Sequence, residues 1–395
     1  MINNLKILLA GILTFTAAAI SSAGGTGGGG LFIPILTIVA GVDLRTASSF
    51  SAFMVTGGSI ANVFRYMFAK HKLIDYDITL LSEPCMLLGV SIGVICNRVL
   101  PEWLITTFFA VFLGFSSLKT CNSGVSCWKK ETQRKGSLRG SNGEPLLLSS
   151  EIEEVVFEEE EDKIPWVKVG MLVVIWFAFT LVYLFRGNKY GQGIIHIKAC
   201  GKLYWIISSV QIPLTIIFTT WILCTKKNLN KDASSDHLQV QEINDEVESR
   251  NGSSDNFIFP SMALLTGILG GLFGVGGGML ISPLLLQMGI EPEVTAATCS
   301  FMVFFSSSMS AIQYLLLGMD HIYNALAFAV ICFVGSIVGQ TLVHRAIMKH
   351  GRASLIVFSV GIVMVLSTVL ITSFGAVDVW RTYKTGQSMG FSKPC

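Results

Sequence analysis

The sequence predicts an all-α integral membrane protein, and three observations carry that reading. Of its 395 residues, 51% are hydrophobic and only 14% charged, whereas soluble domains carry about a quarter charged residues. The mean hydropathy is +0.62, and the apolar residues come in blocks such as Trp166–Phe185, Leu203–Cys224 and Leu355–Ser373. These approach the roughly 20 residues that cross a bilayer core, and lipid offers no hydrogen-bond partners, so each block satisfies its backbone only as a helix. Third, one glycine-rich motif occurs twice, which predicts a duplicated unit.

Taken in order, the apolar segments fall at 5–23, 31–41, 46–69, 77–98 and 101–119, then at 165–186 and 203–224. A last group lies at 257–273, 279–289, 293–317, 322–345 and 353–374. Residues 1–23, with Lys6 and the small residues Ser21–Ala23, have the pattern of a secretory signal. The same stretch matches the start of the second unit, so a retained membrane helix is expected. Segments 31–41 and 279–289 are too short to span, since about 11 residues at 1.5 Å each reach half the core; they predict half-helices. Between the groups, 120–164 opens basic (Lys129, Lys130, Arg134, Lys135, Arg139) and turns acidic (Glu151, Glu153, Glu154, Glu158 to Asp162), and 225–256 is rich in Ser, Asn and Asp. Both compositions predict solvated segments. The expected organisation is a first membrane repeat at 1–119, a hydrophilic loop at 120–164, a two-helix insert at 165–224, a polar linker at 225–256, a second repeat at 257–374 and a tail at 375–395.

The duplication rests on an ordered match. Gly25-Thr-Gly-Gly-Gly-Gly-Leu-Phe-Ile-Pro34 aligns without a gap onto Gly274-Val-Gly-Gly-Gly-Met-Leu-Ile-Ser-Pro283, and at the same offset Thr46-Ala47 meets Thr295-Ala296 and Ser51 meets Ser300. Short cytoplasmic loops carry excess Lys and Arg. In the first copy the 65–77 loop is basic (Arg65, Lys70, Lys72), whereas in the second the basic loop is the following one (Arg345, Lys349, Arg352). A bias displaced by one loop predicts two copies of inverted orientation. The 186–202 loop, with Arg186, Lys189, Lys198 and Lys202, argues against it, because the inverted scheme places that loop outside.

The net charge of +2 has no basic stripe, so nothing suggests nucleic acid. Of nine cysteines, Cys85, Cys96, Cys224, Cys299 and Cys332 fall in apolar spans, and without CxxC pairs or metal-ligand spacing they read as small hydrophobes. Gly25-x-Gly27-x-x-Gly30 fits the dinucleotide fingerprint formally, yet it follows a membrane helix, and Met279 replaces the last glycine in the second copy. GxSxG occurs formally at Gly89-Val-Ser-Ile-Gly93, inside an apolar span, and at Gly386-Gln-Ser-Met-Gly390, in the tail, neither of them a strand-to-helix elbow, while GxxxxGK[ST] and HExxH are missing, so neither an enzyme, an ATP motor nor a bound cofactor is expected.

Consecutive glycines are poor helix formers, at about 1 kcal/mol each relative to Ala, and a broken helix leaves N–H groups without partners. The half-helices are expected to begin near Leu31 and Leu280, with Pro34 and Pro283 in their first turns, where a missing N–H matters least. Such an N-terminus carries partial positive charge and free donors, a combination suited to an anion. The candidate anion-binding residues are therefore Gly25, Gly27, Gly28, Gly29 and Gly30, matched by Gly274, Gly276, Gly277 and Gly278. Close helix packing is the competing reading of the same glycines. Ser48, Ser51, Gly58, Ser59 and Asn62 form a small polar face on the next helix, and Ser300, Ser307, Ser310 and Gln313 do so in the second copy. Of these, Ser51, Asn62, Ser300 and Gln313 join the candidate list, as do Pro34 and Pro283 of the half-helices. Glu83, before Pro84, is the clearest carboxylate within a span and a candidate for proton coupling; about six residues into its helix, it also reads as an interfacial group. Arg65 and His344 lie near helix ends and are expected to snorkel.

The two glycine motifs, with Ile74-Asp-Tyr-Asp77, Pro101-Glu-Trp-Leu-Ile105 and Glu293-Val-Thr-Ala-Ala-Thr-Cys-Ser-Phe-Met302, resemble the sulfite exporter TauE/SafE family over nearly the whole chain. Gln313-Tyr-Leu-Leu-Leu-Gly318 and Met389-Gly-Phe-Ser-Lys-Pro394 fit its plant branch. The resemblance implies a multi-pass permease for sulfite, sulfonates or related sulfur anions. Its partners are then the lipid bilayer and a small anion, in alternating access around a midplane site. A homo-oligomer remains open. The rival reading is a membrane scaffold whose 120–164 loop recruits a cytosolic partner.

Overall fold

A computed structural model describes residues 4–22, 24–25, 27–68, 73–140, 165–186, 201–235, 245–319, 321–350 and 354–385. Every regular element among them is helical. The first half runs α1 (Asn4–Ser22), α2 (Gly29–Ile35), α3 (Leu44–Met67), α4 (Tyr76–Val99) and α5 (Glu102–Gly140). The insert supplies α6 (Trp166–Arg186), α7 (Lys202–Ser209) and α8 (Gln211–Ser235); the second half runs α9 (Asp245–Phe273), α10 (Gly278–Gln287), α11 (Pro292–Leu316), α12 (Ile322–His350) and α13 (Ser354–Thr385). Eight stretches among the described residues are long and apolar enough to cross a membrane, so the chain is a multi-pass membrane protein. Leu8, Val174, Ile216, Val330 and Val369 stand on its outer surface, while Ser, Thr, Asn and Gln are drawn inward, the arrangement that lipid as solvent demands.

The short apolar segments are half-helices. Helix α2 has seven residues and passes into a π turn at Leu36–Ala40, and α10 has ten. They begin at Gly29 and Gly278 rather than at Leu31 and Leu280, so the last glycines belong to the helices. Pro34 and Pro283 consequently sit in the second turn and not the first. A proline there removes one i→i−4 bond, and in α2 the regular pattern gives way to the π turn immediately afterwards.

Several boundaries differ from expectation. The hydrophilic loop does not start at 120, because α5 continues to Gly140. Glu131 anchors this extension: its carboxylate accepts from Ser354 N at 2.9 Å and Ser354 Oγ at 2.6 Å, capping the first turn of α13, and Trp128 meets Phe358 edge to face. The acidic run of that loop, within 141–164, lies outside the described residues. The linker at 225–256 is helical at both ends, through Ser235 and from Asp245, and the tail expected from 375 is helical to Thr385. The span at 203–224 breaks at Val210 between α7 and α8; Pro213 has no N–H to offer the carbonyl of Ser209.

The two halves interleave. Helix α1 packs on α12 and α9 on α4, and α3 contacts both α12 and α11. Gly89-x-x-x-Gly93 faces Gly267-x-x-x-Gly271 along α4 and α9; a Cβ at Gly89 would strike the Leu264 carbonyl, and one at Gly93 the Ile268 carbonyl. Along α12 and α1, Gly335 meets the Phe15 carbonyl and Gly339 that of Ala19. Phe15 and Ala19 stand from Leu264 and Ile268 at the same offset that aligns the glycine motifs. The insert covers α4 and α11: Lys168 pairs with Asp77 on α4 at 2.7 Å, and Trp176 Nε1 donates to Ser308 Oγ on α11 at 3.0 Å. Arg186 is 4% exposed and lies over the rings of Tyr183 and Tyr204. It is therefore not a solvated loop charge, which weakens the observation set against inverted orientation.

Candidate functional site

Between α1 and α2 the chain turns through Gly25, Gly27 and Gly28 with φ of 68°, 71° and 76°, and between α9 and α10 through Gly274 and Gly276 with φ of 65° and 71°. Glycine adopts this left-handed backbone at little cost. The turns depart from one another at their ends, since Gly277 has φ −63°. Contact supplies the second reason for glycine: a Cβ at Gly25 would strike the carbonyl of Ala296, and one at Gly274 the carbonyl of Ser48.

The two turns converge. A Cβ at Gly27 would lie 2.8 Å from Val55 Cγ1 and 3.1 Å from Val303 Cγ1, and one at Gly276 would lie 3.2 Å from both. Turns far apart in sequence thus press on one valine pair at the crossing of α3 and α11. Gly28 and Gly277 are the N-caps of the half-helices, neither with a side-chain cap. The Gly277 amide donates to Ser306 Oγ at 3.4 Å. Gly29 and Gly278 are close-packed against Val275 and Val303, and Gly30 is buried in the first turn of α2.

The polar candidates divide. Asn62 is engaged, accepting from Ser22 Oγ at 2.6 Å and tying α3 to α1, while Ser22 also reaches the Ser336 carbonyl. Ser300 Oγ bonds back to Ala296 O at 2.8 Å. Gln313 donates to Ser91 Oγ at 3.3 Å, but its Oε1 is buried without a partner, as are Ser51 Oγ and Ser310 Oγ. Glu83 is enclosed by protein: it is 0% exposed, and both carboxyl oxygens are without a hydrogen-bond partner among the described residues. Helix α4 carries it inward because α6, α8, α9 and α11 enclose that helix. Met86, one turn further along α4, places Sδ 2.9 Å from a Cβ built on Gly277, so Glu83 stands about one helical turn from the second glycine turn. Buried polar atoms left unpaired mark places where a ligand, proton or water is to be accommodated. Arg65 is half-buried, donating to Thr341 Oγ1 at 3.4 Å, and the side chain of His344 lies outside the described residues.

Two cavities open near the N-terminus of α3, neither anticipated from sequence. One, of about 550 Å³, runs between the half-helix residues Ile33, Pro34 and Thr37, the first turn of α5 and the end of α13, and ends on Phe109 and Phe273. Those rings stack at 4.2 Å, directly before Gly274. The second, of about 180 Å³, lies beside it.

A family model described as "Sulfite exporter TauE/SafE" matches residues 3–145 and 169–370, taking in both glycine turns. The chain belongs to the sulfite exporter TauE/SafE family. It is 57% identical over 412 residues to sulfite exporter TauE/SafE family protein 2 of Arabidopsis thaliana, covering 98% of this chain and 87% of that protein. It is 58% identical over 398 residues to family protein 5 of the same organism, with the same coverage. The probable membrane transporter protein YunE of Bacillus subtilis (strain 168) is 26% identical over 250 residues, covering 58% of this chain and 90% of YunE. No solved structure matches. Family membership makes the chain a membrane transporter of the TauE/SafE type.

Proposed function

We propose that this chain is a secondary transporter of small sulfur-containing oxyanions, sulfite or organosulfonates, built from two inverted repeats that alternate access around a midplane site at the paired glycine turns. The observation that carries this reading is the convergence of both turns on Val55 and Val303, with half-helices starting at Gly29 and Gly278. Half-helix N-termini meeting within a membrane are where secondary transporters hold anionic groups. The valine pair closes the centre here, while the 550 Å³ cavity reaches α2 from one face; this is the shape of a state closed at the substrate site and approached from one side. The substrate class follows from the family's printed name. Ser51, Ser310 and Gln313 complete the coordination when α3 and α11 part, and Glu83 carries the coupling proton.

The moving bodies are not the two chain halves, because those interleave. The units that rock are α1, α3 and α12 against α4, α9 and α11, with the valine pair at the seam. Sulfite flux into proteoliposomes tests the site. Gly277→Ala meets mainly the flexible Sδ of Met86 and is expected to fold while losing flux at least about tenfold, the equivalent of about 1.4 kcal/mol of anion stabilisation. Unchanged flux in that variant, with wild type active, refutes the glycine site; an inactive wild type across sulfite, sulfonates, sulfate and thiosulfate refutes the substrate class.

A further inference from the structure

Helix α5 is longer than a membrane requires. From Trp103 to Trp128 it rises about 38 Å at 1.5 Å per residue, close to the roughly 40–45 Å of a bilayer with its headgroup layers. Both tryptophans are exposed, and Val111, Leu118 and Val125 between them also face outward. Amphipathic indole rings settle at membrane–water interfaces, so this pair marks the two ends of the span. The residues that follow, Lys129 to Gly140, emerge at headgroup level and run on beyond it as continuous helix. They do so on the same face as the end of α3, where the sequence is basic (Arg65, Lys70, Lys72), which the charge rule makes cytoplasmic.

The extension carries Lys129, Lys130, Arg134, Lys135 and Arg139, against a single carboxylate, Glu131. That carboxylate is engaged elsewhere, accepting from both the amide and the hydroxyl of Ser354 at the start of α13. Lys129, two residues before it, falls on another face of the helix and is exposed. Since Ser354 opens α13, the residues of α5 after Glu131 pass the end of that helix. Three residues join α13 to α12, whose last turns expose Arg345 and Lys349 and contain no Asp or Glu. Orienting a span during insertion requires only that such charges lie near it. Here the Glu131 cap and the edge-to-face contact of Trp128 with Phe358 hold their helix in place at one membrane level, which orientation alone does not require.

We propose that the extension of α5, together with the end of α12, is a binding surface for the anionic phospholipid headgroups of the cytoplasmic leaflet. Four to eight basic residues directly cytoplasmic of a span suit such headgroups, and each strengthens the attraction about fivefold near the surface. Lipid is the occupant because the outward-facing stripe of Val125 and Trp128 leads without interruption to Lys129. The inference goes beyond the transport reading and does not depend on it. Helices α5 and α13 also wall the larger cavity, through Glu102, Thr106 and Ile371, so a bound headgroup anchors one wall of that cavity to the membrane surface.

Native mass spectrometry of the full-length protein in non-ionic detergent, titrated with short-chain phosphatidylserine or phosphatidylcholine, reads this surface. The triple variant Lys129→Gln, Lys130→Gln, Arg134→Gln is expected to lose phosphatidylserine affinity at least about fivefold while its phosphatidylcholine affinity stays unchanged. The pair Arg345→Gln, Lys349→Gln should lose it several-fold. Both variants keep Glu131, and melting without lipid confirms that they fold; if the triple variant melts early, the α12 pair decides alone. Phosphatidylserine should also raise the melting midpoint of the wild type and not that of the triple variant. Unchanged phosphatidylserine affinity in the folded variants overturns the proposal. Equal loss in Lys70→Gln, Lys72→Gln overturns it too, because that variant lowers the charge of the same face at another loop. Two further results hand the patch to a different occupant and overturn it. One is phosphatidylserine binding that emerges only when Glu151, Glu153 and Glu154 are changed to Gln, which assigns the patch to the chain's own acidic run. The other is tighter binding of a polyglutamate peptide than of phosphatidylserine, which assigns it to an acidic protein.

Discussion

Alanine at Gly274 and alanine at Gly277 are the same chemical change three residues apart, and the structure assigns them opposite consequences. At Gly274 the backbone is left-handed, φ 65°, which disfavours an L side chain by about 1–2 kcal/mol. The new methyl would also strike the Ser48 carbonyl, a backbone atom that moves only if α3 moves, and overpacking of this kind adds about 1–3 kcal/mol. The sum is a loss of about 2–5 kcal/mol, a large part of the stability of a folded domain. At Gly277 φ is −63°, open to any residue, and the methyl meets the far end of the Met86 side chain at 2.9 Å. Thioether side chains adapt readily, so the loss is that of a weaker N-cap, about 1 kcal/mol. Thermal unfolding of the two variants in detergent, followed by size-exclusion of the soluble fraction, measures the difference. Gly274→Ala should unfold far earlier than Gly277→Ala. Equal midpoints, or a wild-type midpoint for Gly274→Ala, would refute the division of the motif into a packing glycine and a ligand-facing one.

Two further outcomes are expected. Glu83→Gln keeps the shape of a fully buried side chain but removes its titration, so flux driven by a proton gradient in proteoliposomes should drop to the rate measured without one; a persisting gradient dependence takes Glu83 out of coupling. Gly89→Ala sets a methyl against the Leu264 carbonyl on α9 and should destabilise the protein by about 1–3 kcal/mol, and an unaltered melting temperature would show that the α4–α9 seam tolerates widening.

Membrane class, half-helices and glycine turns were legible because each follows from local rules: span length, helix-breaking glycine, and a recurring motif. What escaped depends on distant partners. Residues 120–140 are polar enough to read as loop, and it is packing on α13, through Thr120, Gly124 and Trp128 and the bond from Ser354 to Glu131, that explains their helix. Counting residues from the helix start puts Glu83 toward an interface but is blind to the helices that enclose α4 and bury its side chain. Asn62 looked available as a ligand until Ser22, forty positions earlier, occupied it. The smaller cavity, lined by Arg45 and Arg98 among others, draws its walls from three helices, and nothing in the short stretches around those two residues signals that they meet.

The interleaving of the halves bears on how the protein is made. Helix α1 leaves the ribosome long before the helix it packs against, α12, which begins at Ile322. Until then α1 lacks the partner for the face that later holds Gly335 and Gly339, and α3 the partner for Gly57, and pairings so distant in sequence form late. A chain stopped before α9 should therefore remain loosely associated however well its helices insert. The same logic makes the two halves obligate complements, so that separate synthesis of residues up to the end of the insert and from the start of α9 should rebuild the fold only when both are present in one membrane.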